Sequence, residues 1–473
     1  MITAFERRAM LLEEPFDIDL TWDRSRAYTV DQATFMRLFE RGRVNEEDHE
    51  EGSRYLIIDS FCELEAYDRI SELAAVTRPR ILLILNIICF VTGKAFTTFG
   101  FHHSFSTVAD NPEAEKQVFA PRLLVEEEDL TAELTELLHA MQQLEAGKRT
   151  LVYSLLDRWR KASYLEDEST DSFLYEDETI LACFHIFELL ANEYGGLIDS
   201  DSDQKIQVFT ADLLENVYFI RNSQSQAELA KLIGSTISAY KTVKPRILRM
   251  MQELGLLERK SQALIERFLN HRNAIAHGRV NLYEDKAIYP LKPFFTHVKD
   301  IYEDTESIRI ASARAIAAYL GISLWHQEWE DLLESEPPTY EQVQEFNRQR
   351  AYEGLSWEQL ETGTAEGINV GVLVHYYRKG TLKLSPLMLA LKAYILSVEL
   401  REDNASLVLY AAAILADSPD EAIAVRAREL LTQLKDSELR ERFDMRDVLK
   451  ELAYQGKEPQ WLKTFLIERA QKS

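Results

Sequence analysis

The sequence predicts a mainly α-helical protein in three parts: a mixed α/β N-terminal region, a central helical bundle and a helical C-terminal region. Three observations carry that prediction. Phe16, Ile18, Leu20 and Trp22 alternate with polar residues, which is the period of a half-buried strand. From Glu126 onward the apolar spacing becomes helical, with Ile180, Phe184, Phe187 and Ala191 on one stripe. Further along, Leu257, Leu264, Phe268 and Ile275 share one helical face.

Within residues 1–125, Tyr55-Leu-Ile-Ile58 is a second strand candidate. A helix is expected to start at Pro79, a favoured first helical position, and to run through the apolar stretch Ile81 to Val91. That stretch contains Asn86 and is too short to span a bilayer, so it reads as a buried helix and no membrane partner is expected. Gly100 to Pro121, with Asp110-Asn111-Pro112, reads as a loop.

Residues 126–305 form the expected bundle. Leu130, Leu134, Leu137 and Leu138 suggest one helix, Leu151 to Tyr164 a second, and the stripe from Ile180 to Ala191 a third. Gly195-Gly196 and Asp199-Ser-Asp-Ser-Asp203 are expected to break the third. The acidic run lacks the glycine and terminal glutamate of a calcium loop and reads as a solvated turn. Helices resume at Ala211. Val76-Thr-Arg-Pro-Arg-Ile-Leu82 and Thr242-Val-Lys-Pro-Arg-Ile-Leu248 both read as proline-started helices. In residues 306–473, Leu407 to Ala416 and Ala422 to Leu434 resemble stacked helical hairpins, with loops at Pro337-Pro338 and Thr362 to Gly367.

The 473-residue chain carries a net charge of −25, which repels phosphate backbones from most of its surface. Any nucleic acid must therefore be held at a local basic site. Cys62, Cys89 and Cys183 match no metal-knuckle spacing and read as reduced core residues of a cytoplasmic protein. The N-terminus, with Glu6, Glu13 and Glu14, lacks the pattern of a signal peptide. His102-His103 and His185 have no companion ligands at metal spacing, and neither a metal nor another cofactor is expected.

The most informative stretch is His271-Arg272-Asn273-Ala274-Ile275-Ala276-His277-Gly278, at the end of a long amphipathic run. On an ideal helix Arg272 and His277 point about 140° apart. One straight helix cannot aim both at a single phosphate. Either the helix loosens near Gly278, or two copies of the motif meet across a two-fold axis. Between Tyr240 and Val280 lie nine Lys and Arg residues against Glu253, Glu258 and Glu266, a local charge of +6. Such an island suits a phosphate-binding site; the alternative is an ordinary basic helix surface.

The stretch resembles the Arg-x4-His signature of the HEPN superfamily, helical proteins many of which are metal-independent RNases. The resemblance implies a homodimer in which His277 is the acid/base, Arg272 clamps the scissile phosphate and Asn273 positions the ribose or the partner motif. Lys241, Lys244, Arg246, Arg249, His271 and Arg279 would bind the RNA. Upstream, Leu155 to Ala162 and Leu181 to Leu190 are similar to the paired first helices of Apea-like HEPN domains, where a glutamate precedes a leucine pair. Glu188 fits that position and would orient Arg272; the alternative is a rim glutamate with no catalytic role.

In Apea-like proteins, flanking regions of this kind are associated with defence against phages. That implies a toxic endoribonuclease held idle until a phage-derived trigger or regulatory partner protein is sensed. Two other readings stay open: a catalytically silent HEPN binding or dimerisation scaffold, and the RNase or antitoxin component of a toxin-antitoxin pair.

Overall fold

A computed structural model describes the chain except residues 1, 13, 15, 40–51, 66–71, 97–100, 109–119, 170–173, 239–241, 278–295, 437–443, 455 and 471–473, and the side chains of 2, 102, 296–303, 435–436 and 454. It divides into two units, Met1–Leu332 and Leu333–Ser473.

Strand alternation at the N-terminus builds one antiparallel sheet from β1 (Ile2–Leu12), β2 (Phe16–Trp22), β3 (Ser25–Asp31), β4 (Arg54–Leu64), β5 (Phe101–Val108), β6 (Arg122–Val125) and β7 (Glu128–Asp129), in the order β5-β1-β4-β3-β2-β6-β7. The two expected strands are both present. Opposite residues share a face, so the register Ala9↔Ile57 and Tyr28↔Ile57 puts Ala9, Tyr28 and Ile57 together. That face is capped by Phe35 and Phe39, from and just after the short α1 (Gln32–Leu38), with Phe35 stacked on Tyr55 at 4.1 Å. The opposite face lies under α2 (Leu73–Thr92), where buried Thr77 donates to buried Glu6 of β1.

Three local expectations are corrected. Helix α2 begins at Leu73, and Pro79 sits inside it. Leu73 and Thr77 pack onto the sheet, and the carbonyl that Pro79 cannot bond belongs to exposed Ala75, where water can serve it. At its full length α2 is also long and apolar enough to cross a membrane, yet 61% of its most apolar window is buried inside the protein. The expected loop from Gly100 begins instead as β5, whose Phe105 pairs with Arg7 of β1; residues 109–119 of that loop lie outside the described residues. Of the cysteines, Cys89 and Cys183 are buried and burial pushes their thiols up to about 12, whereas Cys62 is half-buried at the sheet.

From α3 (Thr131–Gln143) the fold is helical: α4 (Ala146–Ser169), α5 (Glu176–Asp212), α6 (Ser223–Ile237), α7 (Val243–Glu253), α8 (Arg259–Ala276) and α9 (Thr296–Leu320). Helix α5 does not break at Gly195-Gly196 or at the acidic run. Each glycine costs a helix about 1 kcal/mol. Against that, α5 packs along α7, its stripe resumes with buried Ile206 and Thr210, and Asp201 pairs with Arg249 at 2.8 Å. The acidic run is a solvated helix face. In α7, Pro245 lies in the first turn, where its missing N–H has no helical partner to lose.

The boundary expected after residue 305 falls inside α9, which packs on α4 and α5. Helix α2 likewise contacts both the sheet and α4, so the sheet and the bundle form one unit. In Leu333–Ser473 the Ala- and Leu-rich helix Ala405–Leu415 packs against Glu421–Asp436 and is buried over most of its length. Pro337-Pro338 and Gly363 to Gly367 are loops as expected, with Thr362 the last residue of a short helix.

Candidate active site

Helix α5 supplies one wall of the site. Its stripe of Ile180, Cys183, Phe184, Phe187 and Ala191 is buried, and Glu188 stands one turn after Phe184 at the edge of that stripe. Helix α8 supplies the other. Buried Leu264, Ile265, Phe268 and Leu269 seat α8 in the bundle, where it packs on α5 and α7. The next turn then emerges at the surface with Arg272, Asn273 and His277.

Arg272 is the fixed point. Its Nη2 donates to Glu188 Oε1 at 3.0 Å, and its Nη1 donates to Asn273 Oδ1 at 3.1 Å. The guanidinium carbon also lies 5.8 Å from the centre of the Phe184 ring. Side-chain exposures of 27% and 25% for Arg272 and Glu188 leave both reachable from solvent. A guanidinium has five N–H donors, and these bonds occupy two of them. Among the described residues these are its side-chain hydrogen bonds, and the other donors can meet an anion.

The helix runs to Ala276, and His277 caps it: its N–H donates to the carbonyl of Asn273 at 3.2 Å, while its own φ of −103° and ψ of 2° leave the helical range. The path from Arg272 to Ala276 is thus helical, and the backbone departs from it at His277. His277 is exposed, and Gly278 lies outside the described residues. Thus Arg272, Asn273 and Glu188 are brought together, and His277 follows more than one turn later at the end of the helix.

Of the expected RNA contacts, Lys241 and Arg279 lie outside the described residues. Lys244 and Arg246 are exposed on α7 and Arg249 is half-buried. Lys244 pairs with Glu266 at 2.8 Å, holding that carboxyl below its ordinary range, and Arg249 pairs at 2.8 Å with both Asp201 and Glu253. His271 does not lie open beside the motif. Its Nε2 is 2.7 Å from Oδ2 of Asp304, whose Oδ1 is 2.6 Å from Arg267 Nε. Folding therefore adds Glu188, Asp201 and Asp304 to the island that the sequence window counted as +6.

Asp304 and Phe184 are the two contributors that sequence reasoning missed. Phe184 was visible as a stripe residue one turn before Glu188. Asp304 belongs to α9 and has no sequence signal tying it to the motif. It is buried, and it fastens two residues of α8 that are one turn apart. Among the described residues no group of three or more His, Cys, Asp or Glu side chains could hold a metal ion. No family model, characterised protein or solved structure matches this chain.

Proposed function

We propose that the protein is a HEPN-type endoribonuclease that works without a resident metal. The observation that carries this reading is Arg272, aimed by Glu188 and Phe184 at an accessible surface more than one turn before an exposed histidine. In the proposed reaction the RNA 2′-hydroxyl attacks the adjacent phosphorus and the bond to the 5′-oxygen breaks. His277 moves the proton, taking it from the 2′-oxygen or giving it to the departing 5′-oxygen. Arg272 stabilises the charge that builds on the phosphoryl oxygens. The products are a 2′,3′-cyclic phosphate, or a 3′-phosphate after hydrolysis, and a free 5′-hydroxyl.

The helical path from Arg272 to Ala276 favours a composite site, in which Arg272 of one copy and His277 of another act on one phosphate. Regulation in the cytoplasm, with a trigger that permits this pairing and a role in defence against phages, belongs to the same proposal. A silent scaffold is the second reading, and the ion pairs that tie up Lys244 and Arg249 favour it. Incubating the purified chain with end-labelled RNA in excess EDTA separates the two. Cleavage with cyclic-phosphate ends supports the nuclease, and intact RNA in every assembly state of the protein supports the scaffold.

A further inference from the structure

The far end of α5 carries an apolar surface that the described residues leave open. The helix ends in a π-turn, Leu213–Val217, and the chain reverses before α6. Val208, Phe209, Tyr218, Phe219 and Leu232 are 65%, 54%, 62%, 84% and 64% exposed. Helix α6 packs on α5 and has no fully buried residue of its own. The reversal is held at Phe219 with φ of 55°, a left-handed conformation that a bulky L-residue rarely adopts. That conformation projects the most exposed of these rings into solvent. The three rings alone leave on the order of 400 Å² uncovered. With the neighbouring aliphatic residues the patch approaches the area of about 800 Å² that one partner gives to an interface of ordinary size.

The charges around the patch identify what covers it. From Lys205 to Ile237 the cations are Lys205, Arg221 and Lys231 and the anions Asp212, Glu215 and Glu228, so this hairpin is neutral within a chain of −25. Two copies of so acidic a chain repel each other over most of their surface. Here they do not. A basic partner would be drawn to the acidic surface instead, and an anionic bilayer calls for a cationic rim that this hairpin lacks.

We infer that the α5–α6 hairpin is a homotypic interface, in which Phe209, Tyr218, Phe219 and Leu232 pack against the same residues of a second copy across a two-fold axis. This goes beyond the nuclease reading and does not depend on it. Val208 lies twenty residues after Glu188 on one helix, about 30 Å along its axis. The hairpin contact is therefore separate from the motif.

Sedimentation velocity of the full chain over a thousandfold range of concentration tests the inference. The wild type is expected to form a dimer at micromolar concentration, and Phe209→Glu with Phe219→Glu to weaken it on the order of hundredfold or more, with an unchanged circular dichroism spectrum. Phe219→Gly relieves the backbone while deleting the ring, and should lose dimerisation without losing thermal stability. Arg272→Ala should dimerise like the wild type, which separates this result from the fate of the nuclease reading. A wild-type chain that stays monomeric throughout, or hairpin variants that dimerise unchanged, overturns the inference. So does a monomer that floats with vesicles of neutral or anionic phospholipid, which would assign the patch to a membrane surface.

Discussion

Glu188 of α5 accepts a hydrogen bond from Arg272 of α8 at 3.0 Å, linking two helices across 84 residues of chain. The same guanidinium reaches forward to its neighbour Asn273 and back over Phe184. The pair is partly exposed, so it contributes little stability, about 0–1 kcal/mol. Its effect is geometric, because it removes the rotamer freedom of a long side chain and fixes where its remaining donors point.

Arg272→Ala and His277→Ala are each expected to lower RNA cleavage by at least about a hundredfold while the fold survives, since neither side chain fills a core. Mixing His277→Ala chains with wild type should depress activity below simple dilution once subunits exchange. Glu188→Gln should cost about tenfold in the wild type and nothing further in the Arg272→Ala background, as expected of a residue acting only through Arg272. An additive double variant would show that Glu188 acts on its own, and full activity in His277→Ala would end the assignment of the acid/base.

Much of this was legible in the sequence. The stripe from Ile180 to Ala191 and, in the face drawn from Leu257 to Ile275, Leu264 and Phe268 placed both walls of the site, because helical periodicity is local; Leu257 lies before α8 and is exposed. The continuation of α5 through Gly195-Gly196 was not legible, since what holds it is packing against α7 and the pair Asp201–Arg249. The basic island was overcounted for the same reason. A window from Tyr240 to Val280 contains Lys244 and Arg249 but not Asp201, which lies nearly forty residues upstream in the sequence. Charge summed along a sequence misses the carboxylates that folding brings in.

That overcount makes the island testable from the acidic side. Reversing Lys241, Lys244, Arg246 and Arg249 to glutamate should weaken RNA binding and flatten its salt dependence by about one unit of slope per lost phosphate contact. Neutralising the acids instead, with Asp201→Asn, Glu253→Gln and Glu266→Gln, should release Arg249 and Lys244 and tighten RNA binding with a steeper salt slope. Filter binding over a salt series reads both. Unchanged affinity in the two sets means that the strand runs along another surface.

Glu166 gives a pH dependence with a definite sign. It pairs with Arg309 at 2.6 Å, but burial outweighs that attraction and raises its carboxyl above the ordinary range. A carboxyl with a higher pKa in the folded chain binds its proton more tightly there. Its favourable contribution is present in acid and is lost as pH rises through the folded value. Relative to Glu166→Gln, the wild type should therefore lose stability between about pH 4 and about pH 7. Urea denaturation of both proteins at the two pH values measures the gap. A gap that moves the other way would mean that Arg309 attracts the carboxylate more than burial opposes it.

Asp304 makes the sharpest structural prediction about the motif. Its carboxylate is 3% exposed as a residue and divides its two oxygens between Arg267 and His271, one turn apart on α8. Arg272 immediately follows that turn, so the clasp anchors the segment from which the motif emerges. Removing one partner of a buried ion pair usually costs several kcal/mol, and the partial exposure of Arg267 and His271 reduces that here to about 2–3 kcal/mol. Asp304→Asn should thus destabilise Met1–Leu332 and speed amide exchange in α8 from Arg267 to Ala276, while exchange in the sheet strands β1 and β4 changes only with global stability. Activity should fall along with the exchange protection, because Arg272 would no longer be held at one position against Glu188. If Asp304→Asn leaves exchange in α8 at the wild-type rate, Asp304 does not anchor that turn. The position of Arg272 would then rest on Glu188 and on packing at Phe184 and Phe268.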